Sequence, residues 1–412
     1  MRRPASANAA CAADALLSSV EEAVGHVFGH LRRSVQRNLA VVAVAFVRLL
    51  SGARAGHGRL SLGALFRVLP TAGTAHAREK RLARFLNNPR LDARGVTSGL
   101  ARVVFGTRGA GCWPILLDQT CSGTTQALVA GVPFEGRTLP LGVYTFDYPW
   151  QEPTAGSQNQ VERVFLLDVE GALPATVRPV WIADRGYARA ALLAEAEREE
   201  RLYVIRGRAG TCIEYDGRRQ KLAALPPGPN GTAVRYVGVQ YQARLRVRVD
   251  VIVVHDAACA EPWALLVPPD SAAVLPTALV VALYRERMQV EHTFRDFKTH
   301  LGLRGLQLRV RIAERTGRLL LAFCLAYALA IILGSRPEAA AGRADLEIPR
   351  RTPRHGTRRT LSVLSVATQM LAHPQWTRLA QRLLHTLIRR LARGQPALIA
   401  PPTDLDARLA LA

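Results

Sequence analysis

Apolar residues recur at helical spacing over 12–31 and 34–50, which predicts two amphipathic helices at the start of the chain. Breaks at 56–58 and 70–73 separate them from a third helix over 76–87. In that helix Arg78, Arg81 and Arg84 fall on one side, and Leu82, Phe85 and Leu86 on the other. Asn87, Asn88 and Pro89 end it. From Trp113 the texture changes. A short apolar run over 114–118 ends in Asp118, and strands over 127–132 and 138–146 follow, joined by a turn at 133–136. A helix over 158–173, an apolar strand over 179–183 ending in Asp184, a helix over 187–200 and a strand over 202–205 complete an α/β pattern. This reads as a mixed sheet with flanking helices.

Residues 206–276 return to alternation. Strands are expected over 234–241, 243–254 and 263–267, with arginines on one face of R-L-R-V-R-V-D-V from Arg244, and a turn-rich loop over 226–231. Because this block precedes another helical segment, it reads as an insertion into the first sheet. No Gly or Pro interrupts 278–301, so a single long helix with Gly302 as its cap is expected there. Residues 319–333 form an apolar run too short to cross a bilayer comfortably, and a helix buried on most sides is expected. A linker rich in Pro, Arg and Gly over 335–358 leads to helices at 361–371 and 376–393. These last are candidates for a protein–protein contact.

The 412 residues suffice for several domains. A formal charge of +23 makes polyanions the expected partners, with nucleic acid ahead of an acidic membrane surface. Nearly all cations are Arg; the lysines are Lys80, Lys221 and Lys298. The six cysteines show no C-x-x-C pair and no spacing to histidines. That argues against a zinc site or disulfide framework and fits a reducing cytoplasm. The first residues do not resemble a signal peptide, so a soluble, nucleoid-associated protein is expected.

The densest chemistry lies in Y-R-E-R-M-Q-V-E-H-T-F-R-D-F-K, from Tyr284 to Lys298. At about 100° per residue, Tyr284, Arg287, Glu291 and Lys298 fall within roughly 60° of one helix face. An ordinary amphipathic helix with i,i+4 ion pairs would also account for this stretch taken alone. Asp118 and Asp184, however, each end an apolar strand, and with Glu291 they can converge at the carboxyl ends of adjacent strands. Hard oxygen ligands of this kind suit Mg²⁺ or Mn²⁺, and two such ions can promote phosphodiester displacement. Arg287 and Lys298 would then meet phosphates, and Tyr284 could donate to a phosphate oxygen. Each aspartate alone is equally a turn or cap residue.

Y-x2-R-x3-E-x6-K resembles, residue for residue, the YREK signature of a family of bacterial insertion-sequence transposases. L-L-D-Q-T at Leu116, G-V-P-F-E-G-R-T-L-P-L at Gly131, W-I-A-D-R-G-Y at Trp181 and Y-V-I-R at Tyr203 are similar to other segments of that family. So is R-L-A-R-F-L-N-N-P, which is often found ahead of its catalytic domain. The resemblance implies an RNase H-like fold with a β-rich insertion, between helical N- and C-terminal regions. The expected divisions are 1–105 (DNA binding), 106–205 and 277–335 (catalytic), 206–276 (insertion) and 336–412 (linker and helical tail). It also implies that Asp118, Asp184 and Glu291 form a DDE metal triad for Mg²⁺, with Mn²⁺ as substitute and two ions bound.

By the same resemblance, Tyr284, Arg287 and Lys298 hold transposon-end DNA. Trp263, in W-A-L-L, resembles a Trp that stacks on a flipped base while the cut end forms a hairpin, and a Trp buried in the sheet would equally account for it. Arg185 joins the DNA-contact set, as do Arg81 and Arg84, whose basic face on the helix over 76–87 suits either a helix lying against DNA or a plain solvated one; a homodimer on paired ends is implied. Gln119, Thr120 and Cys121 after Asp118, and Pro268 and Pro269 after W-A-L-L-V, depart from the usual pattern. The expected function is cut-and-paste transposition of duplex DNA. The alternatives are a decayed or domesticated DNA-binding copy without catalysis and a nuclease without strand transfer.

Overall fold

Helical and strand periods separate in space much as they do along the chain. We describe a computed structural model covering residues 7–52, 61–106, 110–149, 157–256, 259–300, 312–348 and 360–395. Five helices come first: α1 (Ala7–Val27), α2 (Arg33–Gly52), α3 (Leu62–Arg67), α4 (Ala75–Leu86) and α5 (Ala93–Phe105). There follow β1 (Gly111–Ser122), β2 (Thr125–Phe134), β3 (Arg137–Asp147), α6 (Gln158–Glu170), β4 (Val177–Ala183), α7 (Ala190–Arg198) and β5 (Leu202–Arg206). The inserted block holds β6 (Cys212–Tyr215), β7 (Arg218–Lys221), β8 (Val234–Tyr241), β9 (Val247–Val254) and β10 (Trp263–Val267). Last come α8 (Thr277–Glu286), α9 (Met288–Arg295), a wide π-helical turn at Asp296–His300, α10 (Ala313–Gly334), α11 (Pro337–Leu346), α12 (Val363–Ala372) and α13 (Pro374–Ala392).

All ten strands share one sheet, in the order β3-β2-β1-β4-β5-β10-β9-β8-β6-β7. β1, β4 and β5 run parallel, and the remaining pairings are antiparallel. The fold is therefore the expected mixed α/β sheet, consistent with an RNase H-like core plus helical regions. The strands of 206–276 extend that sheet through β10 rather than forming a separate one. Its hairpins follow turn chemistry. Glu135 and Gly136 both take positive φ between β2 and β3, as do Asp216 and Gly217 between β6 and β7.

Sequence expectations are corrected at several points, and the linker expected over 335–358 contains helix α11. The strand read from residue 243 begins at Val247, because Gln242 and Arg246 take positive φ and fold 242–246 into the turn. The alternation ends at Asp250, a buried carboxylate that accepts from Arg235 and from the Gly238 amide, each at 3.0 Å. The same Arg235 donates to the Leu275 carbonyl at 2.7 Å, tying the inserted strands to the entry of α8. The helix expected over 278–301 runs from Thr277 to His300; it tightens locally at Arg287, which keeps helical φ/ψ and whose amide donates to the Tyr284 carbonyl at 3.1 Å, and its end widens at Asp296. Gly302 lies outside the described residues, as does the 56–58 break.

α10 is the one helix among the described residues long and apolar enough to cross a membrane, and 89% of its most apolar stretch is buried inside the protein. It packs against β3 on one side and α2 and α12 on others, while α13 lies against α1 and α12. N- and C-terminal helices thus share one core with the sheet.

Candidate active site

Register decides where the two aspartates stand. β1 and β4 are parallel, with Leu117 opposite Ala183. The next residues, Asp118 and Asp184, are therefore neighbours at the end of that ladder, and both line one cleft. β1 itself runs on to Ser122 in antiparallel pairing with β2, so Asp118 lies within a strand and not at its tip as expected. Asp184 is set by a tight turn in which its Oδ1 accepts from the Gly186 amide at 2.7 Å. A Cβ at Gly186 would lie 2.8 Å from that oxygen, so any larger residue there would push the Asp184 carboxylate aside.

α9 brings Glu291 to the same cleft, which has a volume of about 490 Å³ and is also lined by Phe294 and Lys298. Between Asp118 and Glu291 sits Arg287. It donates to Asp118 Oδ2 at 3.3 Å and makes a short hydrogen bond to Glu291. Burial works against the Arg287 charge, yet Tyr284, Glu291 and Asp118 together hold its pKa above the ordinary value. Burial likewise pushes the Asp118 carboxyl up to about 6. Asp184 and Glu291 add to that rise, against the Gln119 amide and Arg287. Three carboxylates thus repel one another in a shielded cleft, and a guanidinium relieves part of that repulsion.

Such a donor set fits Mg²⁺ or Mn²⁺, which take one or two carboxylates each and keep several waters. Among the described residues no three His, Cys, Asp or Glu side chains already form a closed metal-holding group. That agrees with Arg287 standing between two of the acids. Two buried hydroxyls lining the cleft, Thr120 Oγ1 and Tyr187 Oη, have no hydrogen-bond partner among the described residues. Burial, with Asp118 and Asp184 adding to it, holds the Tyr187 phenol well above its usual pKa, so it is a donor at neutral pH. Unpartnered donors beside clustered acids are the lining expected of a site that receives a phosphate or ordered water.

The other expected contacts divide. Lys298 and the exposed Arg185 remain near the carboxylates, Lys298 in the cleft wall and Arg185 in the turn after β4. Tyr284 and Trp263 do not face the cleft. Both are buried and pack edge-to-face with ring centroids 5.0 Å apart, while Arg287 lies over the Tyr284 ring. Arg287 thus rests on Tyr284, and Tyr284 on Trp263. Base stacking by Trp263 would require that packing to open. On α4 only Arg84 of the pair Arg81 and Arg84 is exposed; Arg81 turns inward and donates to Asn38 of α2 at 3.1 Å.

A polar chain along the cleft floor is absent from the sequence reading. Gln119 donates to Gln126 and accepts from Gln158, which also donates to the buried Glu162. Glu162 in turn pairs with Arg189 through a short hydrogen bond. A signal existed. Glu162 shares helical spacing with the buried Phe165, Leu166 and Val169 of α6, and an acid at such a position needs a partner. At the far end of the glutamate helix, buried Asp296 accepts from Arg137 at 2.5 Å and from Tyr327 at 2.9 Å. Thr293 accepts from the Thr138 amide at 2.8 Å. These bonds fix α9 to the β2–β3 hairpin and to α10, and so set where Glu291 and Lys298 point.

No curated protein matches the chain. Residues 154–329 match the family model described as "Transposase DDE domain", a span that includes Asp184 and Glu291 and begins after Asp118. With two acids at neighbouring register positions and a third on a facing helix, that similarity supports a DDE transposase.

Proposed function

We propose that this protein is a cut-and-paste DNA transposase of the YREK-signature family, acting on the duplex ends of an insertion sequence and then on target DNA. The observation that carries the reading is the convergence of Asp118, Asp184 and Glu291 on one cleft beside Lys298. Asp118, Asp184 and Glu291 would hold two divalent ions, Mg²⁺ or Mn²⁺. When bound, such ions polarise phosphoryl oxygens and activate a water or a 3′-hydroxyl.

The chain's own groups account for positioning. Arg287 neutralises Asp118 and Glu291 in the free protein, and its planar fork suits a phosphate equally well. Transfer of that fork from carboxylate to phosphate would keep a cation beside the reacting group. Lys298 offers a second, more flexible charge to the same strand. The Tyr187 and Thr120 hydroxyls can donate to a phosphate oxygen without surrendering an existing bond. Arg185 and Arg84, both exposed, would contact the backbone farther out. In this reading the freed 3′-hydroxyl attacks the opposite strand to give a hairpin, with Trp263 leaving Tyr284 to stack on the extruded base. Two chains on paired ends cut together.

Incubation with Mg²⁺ and a duplex carrying the flanking inverted repeats tests the proposal, with products resolved by strand. Nicks at the repeat boundary, followed by hairpin and joined products, support it in full. Nicks without joined products reduce the protein to a nuclease. Binding without any nick in Mg²⁺ or Mn²⁺ leaves a non-catalytic DNA-binding protein.

A further inference from the structure

Helix α13 carries a feature that the cleft does not use. Its sequence, P-Q-W-T-R-L-A-Q-R-L-L-H-T-L-I-R-R-L-A, contains no Asp or Glu. Taking Arg378 as origin, Arg382, Arg389 and Arg393 fall within about 60° of it at 100° per residue. All four are exposed, and none forms an ion pair among the described residues. Ala380, Leu384, Leu387, Ile388 and Leu391 lie on the opposite side and are buried against the bundle. His385, at the edge of the basic stripe, is held by Ser19 of α1 at 3.0 Å, which fixes the rotation of the helix.

Helix stability does not explain this stripe. Arg389 and Arg393 sit near the C-terminus, where the macrodipole favours cations, but Arg378 and Arg382 lie toward the N-terminal half, where it does not. A surface serving solubility would mix signs along the helix. From Arg378 to Arg393 the helix rises about 22 Å. One DNA strand offers a phosphate about every 3.4 Å of axis, so roughly six phosphates face that length.

We propose that the exposed face of α13 is a contact surface for the phosphate backbone of duplex DNA, engaged through Arg378, Arg382, Arg389 and Arg393. It rests on the DNA-acting reading above and adds a contact outside the cleft. Because the contacts are to phosphate, they are independent of sequence and serve to hold the duplex.

The test measures affinity of the full chain for a random-sequence duplex of about 30 base pairs over a range of salt concentrations. Wild type is compared with R378Q/R382Q/R389Q/R393Q and with the fourfold lysine variant, each checked for native circular dichroism. Each lost phosphate contact lowers the steepness of log K against log salt by about 0.9. The glutamine variant is expected to lose about three to four from the slope, and the lysine variant less than one. An unchanged slope in the glutamine variant, with wild type steep, overturns the α13 surface alone. So does an altered oligomeric state with unaltered slope, which would make the face a contact for a second copy. A wild type that binds duplex without salt dependence overturns the DNA-acting reading along with it.

Discussion

Asp118 and Asp184 stand side by side because Leu117 is paired with Ala183 across the parallel β1–β4 ladder. A slip of one residue in that ladder would turn one carboxylate to the other face of the sheet. The apolar residues before each acid, Ile115 to Leu117 and Val180 to Ala183, are buried and hold the register. The placing of the two carboxylates and the packing of the core are thus set by the same residues.

The first expectation concerns pH. Folding raises the Asp118 carboxyl to about 6, so the fold favours its protonated form. Its contribution to stability is then fully present below the ordinary carboxylate range and is lost as pH rises through about 6. Asp118→Asn removes that loss and should stabilise the metal-free protein at pH 7.5 by about 1–3 kcal/mol, with little effect at pH 4. Urea unfolding of both proteins at the two pH values checks this. A variant less stable than wild type at pH 7.5 would count against it.

Removing Arg287 should act in the opposite direction. Arg287→Gln leaves Asp118 and Glu291 facing each other without their counter-charge, which should cost about 1–3 kcal/mol. Divalent cation should restore stability in the variant. Calorimetric titration with Mn²⁺ is expected to show tighter binding to the variant than to wild type, and equal or weaker binding would contradict the counter-ion role.

Tyr187→Phe separates folding from function. The phenolic oxygen has no partner among the described residues, so its removal should change stability by less than about 1 kcal/mol. If that hydroxyl serves the bound phosphate, the rate of end cleavage should fall about 10- to 100-fold with DNA affinity nearly unchanged. A rate equal to wild type would remove Tyr187 from the site.

The Asp296–Arg137 bridge should behave as a support. Arg137→Ala leaves a buried carboxylate with Tyr327 and without its guanidinium, and should destabilise by about 3 kcal/mol. Cleavage should fall with the loss of α9 alignment, whereas Arg137→Lys, which keeps a charge, should recover part of both. Thermal melts and single-turnover cleavage provide the comparison.

Much of this was legible in the sequence because the site residues carry strong local signals. An apolar strand before Asp118, another before Asp184 and the spacing from Tyr284 to Lys298 all survive in the structure as elements. Periodicity could not reveal partners. Nothing in the spacing says that Tyr284 and Trp263 pack edge-to-face, or that Arg287 turns onto Asp118, 169 residues away in the chain. The bond from Arg81 to Asn38 was hidden for the same reason, since Asn38 lies on another helix. β6 and β7 were missed although Asp216-Gly217 is a strong hairpin signal. Their strands are four residues each, so alternation had too little length to register.

The most direct measurement is cleavage of inverted-repeat DNA in Mg²⁺ by wild type beside Asp118→Asn, Asp184→Asn and Glu291→Ala, with binding measured in parallel. If the three acids work as one site, each single variant should lose at least about a thousandfold in rate, and pairs should lose little more. DNA affinity should persist in all of them. Cleavage that survives in any one of the three, at the same boundary and metal concentration, would contradict the assignment.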